Sequence, residues 1–413
     1  MSHAGPHARH ARHGFLRHLL HAAPILVVVT LLTAWLSEHG LLGGFESAAL
    51  DVWLRLQSPR PVKDLVIVAI DDTDYRELWQ RRSPLDPAVL QRLIDAVAAG
   101  GPRAVGVDLD TSGEEYRALR VPEGVPFVWA REGIPVEAAE GDHGGHGGGQ
   151  LAFTPGSVLG REGAEAGPPI RSALALMPQD RDGVIRRYKH RVPVAAEGGE
   201  KGEHEMDTLG FGVVRAIPGH EAREADHHAL VLNFAGDRYA FPRIAARDIL
   251  AAATGEGFRI AGPLKDKIVL IGGYYRAARD EYITPVGPMA GVQLVAQAIE
   301  SELHGGGVRP MSHGLMTILE ILSGVLLVWI NFRFRLGAAL LLSLVAMPVL
   351  TLAGSLIAFS SFAFYFNFVP SLVGVWIHEL YDHAKEYRAM HETLHGAAAK
   401  AHAEPPLPPP PAP

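Results

Sequence analysis

The residues best suited to chemistry are carboxylates that follow apolar runs. Asp71, Asp72 and Asp74 come after Leu65-Val-Ile-Val-Ala-Ile70, Asp108 and Asp110 close the run that begins at Ala104, and Asp280 stands beyond Lys267-Ile-Val-Leu-Ile-Gly272. Open parallel sheets bind ligands at the carboxyl ends of their strands, so these positions can line one crevice. Gathered there, they would hold a cation or a basic ligand. Aspartates also cap the helices and turns that follow strands, which is the other reading of the same positions.

Arg186-Arg-Tyr-Lys189-His-Arg191 places Arg186 among basic residues that suit an anion or a solvated strand face. Asp142, His143 and His146, and the tail residues His3, His7, His10, His13, His18 and His21, are metal-ligand types without the fixed geometry a structural site needs. Gly272-Gly273 after a buried run has the start of a phosphate-binding turn and none of the remaining fingerprint. Asp108-Leu-Asp110 behind a hydrophobic strand is similar to the opening of haloacid-dehalogenase-type phosphohydrolases, in which the first aspartate attacks phosphorus and Mg²⁺ offsets charge. That chemistry also needs a lysine, Lys265 or Lys267, and a further aspartate such as Asp280. With no cysteine in the chain, disulfide frameworks and thiolate chemistry are excluded. No cofactor is implied.

The elements that must position these residues alternate. Phe45, Ala48, Ala49, Val52, Trp53 and Leu56 recur at helical spacing. Residues 65–70, 87–99 and 104–109 then read as strand, helix and strand, a right-handed βαβ unit. Val125–Ala130 and a more exposed basic strand over Gly183–Val194 follow, then a helix at Met206–Ala216, a strand at Ala229–Phe234, a helix at Ile244–Ala253, a strand at Lys267–Gly272 and a helix at Gly291–His304. Arg131–Pro169 and Ala195–Glu205 read as poorly ordered surface loops. The fold class expected is α/β: one domain over residues 43–312, its mostly parallel sheet flanked by helices, plus an all-α membrane part of four helices.

Charge and hydropathy locate that membrane part. Residues 38–313 hold 30 basic and 39 acidic side chains, an acidic surplus unsuited to a nucleic-acid backbone, between ends that are apolar and sparsely charged. A tail over 1–18 precedes an apolar run over 19–37, about 27 Å long as a helix and just able to span a bilayer. It reads as an uncleaved signal anchor, since no small-x-small cleavage site precedes Glu38. Further spans are expected over 315–332, 336–358 and 361–378, with a turn near Ser360, Ser361 and Phe362–Phe368. Arg9, Arg12 and Arg17, then Arg333 and Arg335, then Lys385 and Arg388 fall on one side if there are four spans. This puts both termini in the cytoplasm and residues 43–312 outside it. Glu320 is the one carboxylate well inside an expected span, either a functional group or a side chain that snorkels to the interface.

Seven segments, in order, resemble the type-two CHASE group, extracellular sensory domains associated with bacterial cyclases and histidine kinases. They are Phe45-Glu46 with Asp51-Val-Trp-Leu-Arg55; Ile67-Val-Ala-Ile-Asp71-Asp72; Gly106-Val-Asp108; Asp182-Gly-Val-Ile-Arg186-Arg187; Leu232-Asn-Phe-Ala-Gly236; Lys267–Gly272; and Asp280 with Thr284-Pro285 and Gly291-Val292. Three apolar helices behind the domain also match the family's arrangement. The sequence departs from it in a reduced stretch, Trp79-Gln-Arg-Arg-Ser-Pro-Leu85, and in a short segment after Asp110. The resemblance implies a multi-pass sensor of the bacterial inner membrane, not an enzyme, whose partners are the bilayer, a small-molecule or envelope stimulus, and a separate kinase or cyclase effector, with a homo-oligomer also open. About 35 residues follow His378, fewer than an effector domain needs, and they end in a proline-rich run, Glu404–Pro413. A Mg²⁺-dependent phosphohydrolase and a structural subunit of a membrane assembly are the alternatives.

Overall fold

The computed structural model describes residues 6–111, 113–131, 133–135, 151–153, 171–195, 203–221, 225, 228–255 and 261–403. These fall into two units, one of residues 51–309 and one combining residues up to 50 with those from 310 onward.

The 51–309 unit is built on a six-stranded sheet: β1 (Leu65–Asp71), β2 (Ala104–Asp108), β3 (Phe127–Arg131), β4 (Arg171–Leu174), β5 (Arg243–Ala245) and β6 (Ile268–Tyr274). The strand order is β5-β1-β6-β2-β3-β4, and all five pairings are parallel. The apolar runs are continuous because both sheet faces are covered. Val66, Val68 and Ile70 face one core with Leu90, Leu93 and Ile94 of the Pro87–Ala99 helix and Ile249 of the Ala246–Ala253 helix. Leu65, Ile67 and Ala69 face the other, with Val213 of the Leu209–Ala216 helix and Val292, Val295 and Ile299 of the Gly291–Leu303 helix. Close packing between layers uses small residues: a Cβ on Gly106 of β2 would sit 2.5 Å from Leu270, and one on Gly272 of β6 would sit 2.5 Å from Val292.

Several expectations are corrected. Only Leu230–Val231 of the 229–234 segment is strand, and it pairs antiparallel with Arg187–Tyr188 outside the main sheet. Residues 233–238 instead bond to side chains of the 291–303 helix. Asn233 N–H donates to Ser301 Oγ (3.0 Å), Ala235 N–H to Gln297 Oε1 (2.8 Å), Gln297 Nε2 to Gly236 O (2.8 Å), and Gln293 Nε2 to Arg238 O (2.6 Å). The basic strand over 183–194 is broken and not solvated: Arg186, Tyr188 and His190 are buried. His190 stacks on Phe211 at 4.2 Å and meets Glu302 at 2.9 Å, and Tyr188 donates to the same carboxylate.

The 195–205 stretch ends in a strand, Glu203–Asp207, that pairs antiparallel with Arg191–Ala195, so the helix expected from Met206 begins at Leu209. Arg191 and Arg215 both bind Asp207 and hold this junction. Within 131–169, Gly133–Pro135 pairs antiparallel with Leu151–Phe153, which pairs in parallel with Arg191–Ala195, so that these strands and Glu203–Asp207 form one four-stranded sheet. Asp142, His143, His146, His3 and the 404–413 run lie outside the described residues.

The other unit contains helices Pro6–Glu38, His313–Arg333 and Val369–Ala403, with helical structure over 336–362. Gly314–Arg333 and Gly337–Phe362 are long and apolar enough to cross a membrane, whereas the first apolar helical stretch, Ala22–Ser37, is shorter. The turn expected near 360–368 lies at Ala363, in the left-handed region, and Phe364–Tyr365. The third helix therefore runs to Phe362 instead of 358, and the last helix starts at Val369 instead of 361.

Candidate functional site

The carboxyl ends of β1, β6 and β2 lie side by side, and most of the strand-end aspartates sit there. Asp71 ends β1 and caps the Asp72–Glu77 helix, its Oδ1 accepting the N–H groups of Thr73 (2.8 Å) and Asp74 (2.9 Å). Asp74 is fully buried and accepts from Ala246 N–H (3.1 Å) and Arg247 N–H (3.2 Å), tying the first turn of the 246–253 helix to β1. Arg247 Nη1 bridges the two carboxylates at 2.9 Å each. Burial pushes both carboxyls up; for Asp71 the Asp74 N–H and Arg247 outweigh it and hold the group below the usual range, whereas for Asp74 burial prevails. Asp72 is half exposed and accepts Arg276 N–H at 2.9 Å. These three are committed to local architecture, as helix-capping aspartates are.

Asp108 and Asp280 form a different arrangement. Asp108 closes β2, in register with Gly272 of β6. Burial, and then the charge of Asp280, push its carboxyl up to about 7. Asp280 also moves up through burial, although Tyr282 and the Gly291 N–H hydrogen-bond to it. It lies at the first turn of the 291–303 helix, where a Cβ on residue 291 would strike its carboxylate, so glycine is required there. Tyr275 stacks on Tyr75 at 4.3 Å and feels the Asp280 charge. Both carboxyls are thus pushed toward the protonated form, Asp108 by burial and by the charge of Asp280, and Asp280 by burial. Such a pair offers negative charge together with a hydrogen-bond donor, a surface for a cationic or hydrogen-bonding ligand. Asp110 is exposed, two residues beyond. Among the described residues no group of three His, Asp or Glu side chains is arranged to hold a metal ion.

Arg186 is not part of this crevice. Its Nε and Nη2 bind Asp51 at 2.6 and 2.9 Å, Nη1 and Nη2 bind Asp182 at 2.9 and 2.8 Å, and Nη1 binds Asp180 at 3.0 Å. All five guanidinium donors are thereby used within the chain. The cluster holds Arg186 charged and draws the Asp182 carboxyl down.

The lysines required for phosphoryl chemistry are at the wrong end of the sheet. Lys265 and Lys267 precede β6, and Lys267 Nζ donates to Lys63 O at 2.6 Å. Asp108 is in register with Gly272, five residues further along β6, about 17 Å at 3.3 Å per residue.

Arg247, Asp180 and the Tyr75–Tyr275 stack have no signal in the sequence, and Asp51 stands in a family segment with nothing to mark Arg186 as its partner. Asp71-x-x-Asp74 was a readable capping signal, but the partners of Arg247 and Arg186 lie up to 176 residues away, and no local pattern points to them.

The model of the family described as the CHASE2 domain matches residues 25–331, taking in the central unit and parts of the apolar helices that flank it. Neither the curated proteins nor the solved structures give a match to the chain.

Proposed function

The chain belongs to the CHASE2 domain family, a family of sensory domains, and from this premise we propose that it is a multi-pass sensor of the bacterial inner membrane. Residues 51–309 face outward and detect a stimulus, and the flanking helices carry the response to a cytoplasmic effector, a kinase or a cyclase. The Gly291–Leu303 helix, packed on the sheet, supports this reading, because the crevice lies at its first turn and one exit of the chain follows its other end. The 43–56 helix continues from the first apolar helix, and the 291–303 helix carries Asp280's partner Gly291 at one end and leads toward residue 313 at the other.

The observation that carries the proposal is the Asp108–Asp280 pair at the mouth of a parallel sheet. Desolvated carboxyls cost stability, and such groups cluster at functional sites. A stimulus shifts a two-state equilibrium only by its difference in affinity for the two states, and a positively charged or hydrogen-bonding ligand that relieves this pair provides such a difference. Asp71, Asp72 and Arg186 serve as the frame of the crevice and its connections. A phosphohydrolase is disfavoured by the position of Lys265 and Lys267.

The test is thermal unfolding of the full chain in lipid nanodiscs against a panel of divalent cations, polyamines and organic acids. The proposal expects a cationic compound to raise the midpoint of the natural chain and to have no effect on Asp108→Asn or Asp280→Asn, since a ligand stabilises only the state it prefers. Equal shifts in the natural chain and both variants would remove the crevice from the proposal. Mg²⁺-stimulated phosphate release abolished by Asp108→Asn would replace sensing with catalysis.

A further inference from the structure

Gln57 Oε1, Arg60 Nε and both carboxylate oxygens of Glu300 are buried without a hydrogen-bond partner among the described residues. Gln57 and Arg60 belong to the segment that leads from the 43–56 helix into β1. Glu300 lies in the last turn of the 291–303 helix, shortly before the chain leaves this unit at residue 309.

Asn233 joins the two. Its Oδ1 accepts from Gln57 Nε2 (3.1 Å) and Arg60 Nη1 (2.8 Å), and its carbonyl accepts from Arg60 Nη2 (2.9 Å). Its N–H donates to Oγ of Ser301, the neighbour of Glu300, at 3.0 Å, and that Oγ also lies 3.5 Å from the Asn233 carbonyl. The guanidinium and the end of the helix therefore meet at one carbonyl oxygen. Arg60 spends its charge there on a neutral residue, although Glu300 is near enough for each charge to act on the other. A carboxylate would bind a guanidinium roughly twice as strongly as a neutral acceptor does.

Glu300 is 1% exposed, and a carboxylate buried without a donor is costly. Burial pushes its carboxyl up, the charges of His304 and Arg60 oppose the rise, and the charge of Asp64 adds to it. His304 Nδ1 stands 3.1 Å from Glu300 Oε1 but bonds to the Glu300 backbone carbonyl at 3.0 Å, and His304 and Asp64 are both exposed. Unpartnered oxygens beside a guanidinium that is engaged elsewhere are the arrangement of a neutral carboxyl.

We propose that Arg60 is a proton-controlled latch: its guanidinium lies on Asn233 while Glu300 carries a proton, and turns to Glu300 when the carboxyl ionises, releasing Asn233. Glu300 gives its proton to solvent, the net charge of the Arg60 and Glu300 pair falls from positive to zero, and the hydrogen bonds to Asn233 are exchanged for charge-assisted bonds to a carboxylate. Loss of the Asn233 bonds loosens the tie between residues 57–60 and the end of the 291–303 helix, so proton concentration controls how the two connections of the unit are held together. The latch does not depend on the stimulus bound at the Asp108–Asp280 crevice.

The experiment is infrared difference spectroscopy of the full chain in lipid nanodiscs between about pH 5 and 9, above the ordinary carboxyl range. The expected result is a protonated-carboxyl band that fades as pH rises and is absent from Glu300→Gln. Arg60→Gln removes the cation and is expected to raise the midpoint of this band by about half a pH unit or more, with a smaller change in Arg60→Lys, which keeps the charge. Asn233→Ala frees the guanidinium and is expected to lower it by a similar amount. Hydrogen exchange over residues 230–238, corrected for its intrinsic pH dependence, is expected to be about tenfold faster above the midpoint than below it in the natural chain. In Glu300→Gln, which has the shape of the protonated carboxyl and leaves Arg60 on Asn233, exchange is expected to stay slow throughout. The proposal is overturned if no band is assignable to Glu300, if neither Arg60→Gln nor Asn233→Ala moves its midpoint, or if exchange over 230–238 follows the same course in the natural chain and Glu300→Gln.

Discussion

At the scale of single residues, the aspartates at the strand ends divide by what surrounds them. Asp71 is stabilised as an anion by the Asp74 N–H and Arg247, and Arg186 is saturated by Asp51, Asp180 and Asp182. Asp108 has neither benefit, since burial and Asp280 both oppose its charge and raise its carboxyl to about 7. In an unfolded chain the same group ionises near pH 4. Between these values the folded chain binds more protons than the unfolded one. The contribution of Asp108 to stability is therefore complete below about pH 4 and is lost as pH rises through about 7. Three pH units correspond to at most about 4 kcal/mol. Asp108→Asn keeps the shape and removes the titration, so this variant is expected to be more stable than the natural chain at about pH 8, by roughly 2–4 kcal/mol, and to show a flatter pH dependence. Urea midpoints followed by tryptophan fluorescence at about pH 5 and 8 measure it. Parallel pH dependences for variant and natural chain would mean that Asp108 is solvated.

Among the elements, the Gly291–Leu303 helix does the most to join sheet, crevice and chain exits. Val292, Val295 and Ile299 bury one face against the sheet, and Gln293, Gln297 and Ser301 take the place of a strand partner for residues 233–238. Gln297→Leu keeps the volume but leaves Ala235 N–H and Gly236 O buried without their bonds. At about 1–3 kcal/mol for each orphaned group, a loss of about 2–6 kcal/mol is expected, with Gln297→Glu recovering about half through the retained acceptor. Chemical denaturation of the two variants decides this, and equal stability of Gln297→Leu and the natural chain would show that water replaces the bonds. The same helix shows why part of the fold was legible and part was not. Runs such as 65–70, 87–99, 104–108 and 291–303 carry their period in the sequence, because burial on one or two faces dictates it. Residues 229–238 are apolar enough to read as strand, but their backbone partners are side chains some 60 residues away, which no local pattern records. The edge strands 171–174 and 243–245 are too short to carry a period at all. The segments that carry the family resemblance record no partners in the sequence. Asp51 meets Arg186, Arg55 Nε donates to Pro285 O at 2.8 Å, and Gly272 lies under Val292. Most of the motif residues hold the motifs to one another, and on the function proposed above Asp108 with Asp280 is the part that meets a stimulus.

For the whole molecule the open quantity is the number of crossings. Gly314–Arg333 and Gly337–Phe362 are each long and apolar enough to cross a membrane, and Arg333 and Arg335 stand where the two adjoin. The last helix has only nine uncharged residues, Val369–Ile377, before His378 and Glu379, which is about 13 Å of helix and less than half a bilayer. Its polar residues are nevertheless the buried ones: His378 and Glu379 are 2% and 5% exposed, whereas Trp376, Leu380 and Tyr381 face outward. On the topology proposed above, a helix with this pattern crosses with its polar groups against other helices and its apolar groups against lipid. Four crossings also bring Lys385 and Arg388 to the side of Arg333 and Arg335, in keeping with the positive-inside rule. Because the chain contains no cysteine, single cysteines report position without background. Tyr239→Cys and Phe364→Cys, both at exposed positions, are expected to react with a membrane-impermeant maleimide on intact spheroplasts, and Arg335→Cys and Lys385→Cys only after permeabilisation. Reaction of Lys385→Cys from outside with Arg335→Cys still protected would leave three crossings. The 369–403 helix would then lie outside the cytoplasm and carry no signal inward.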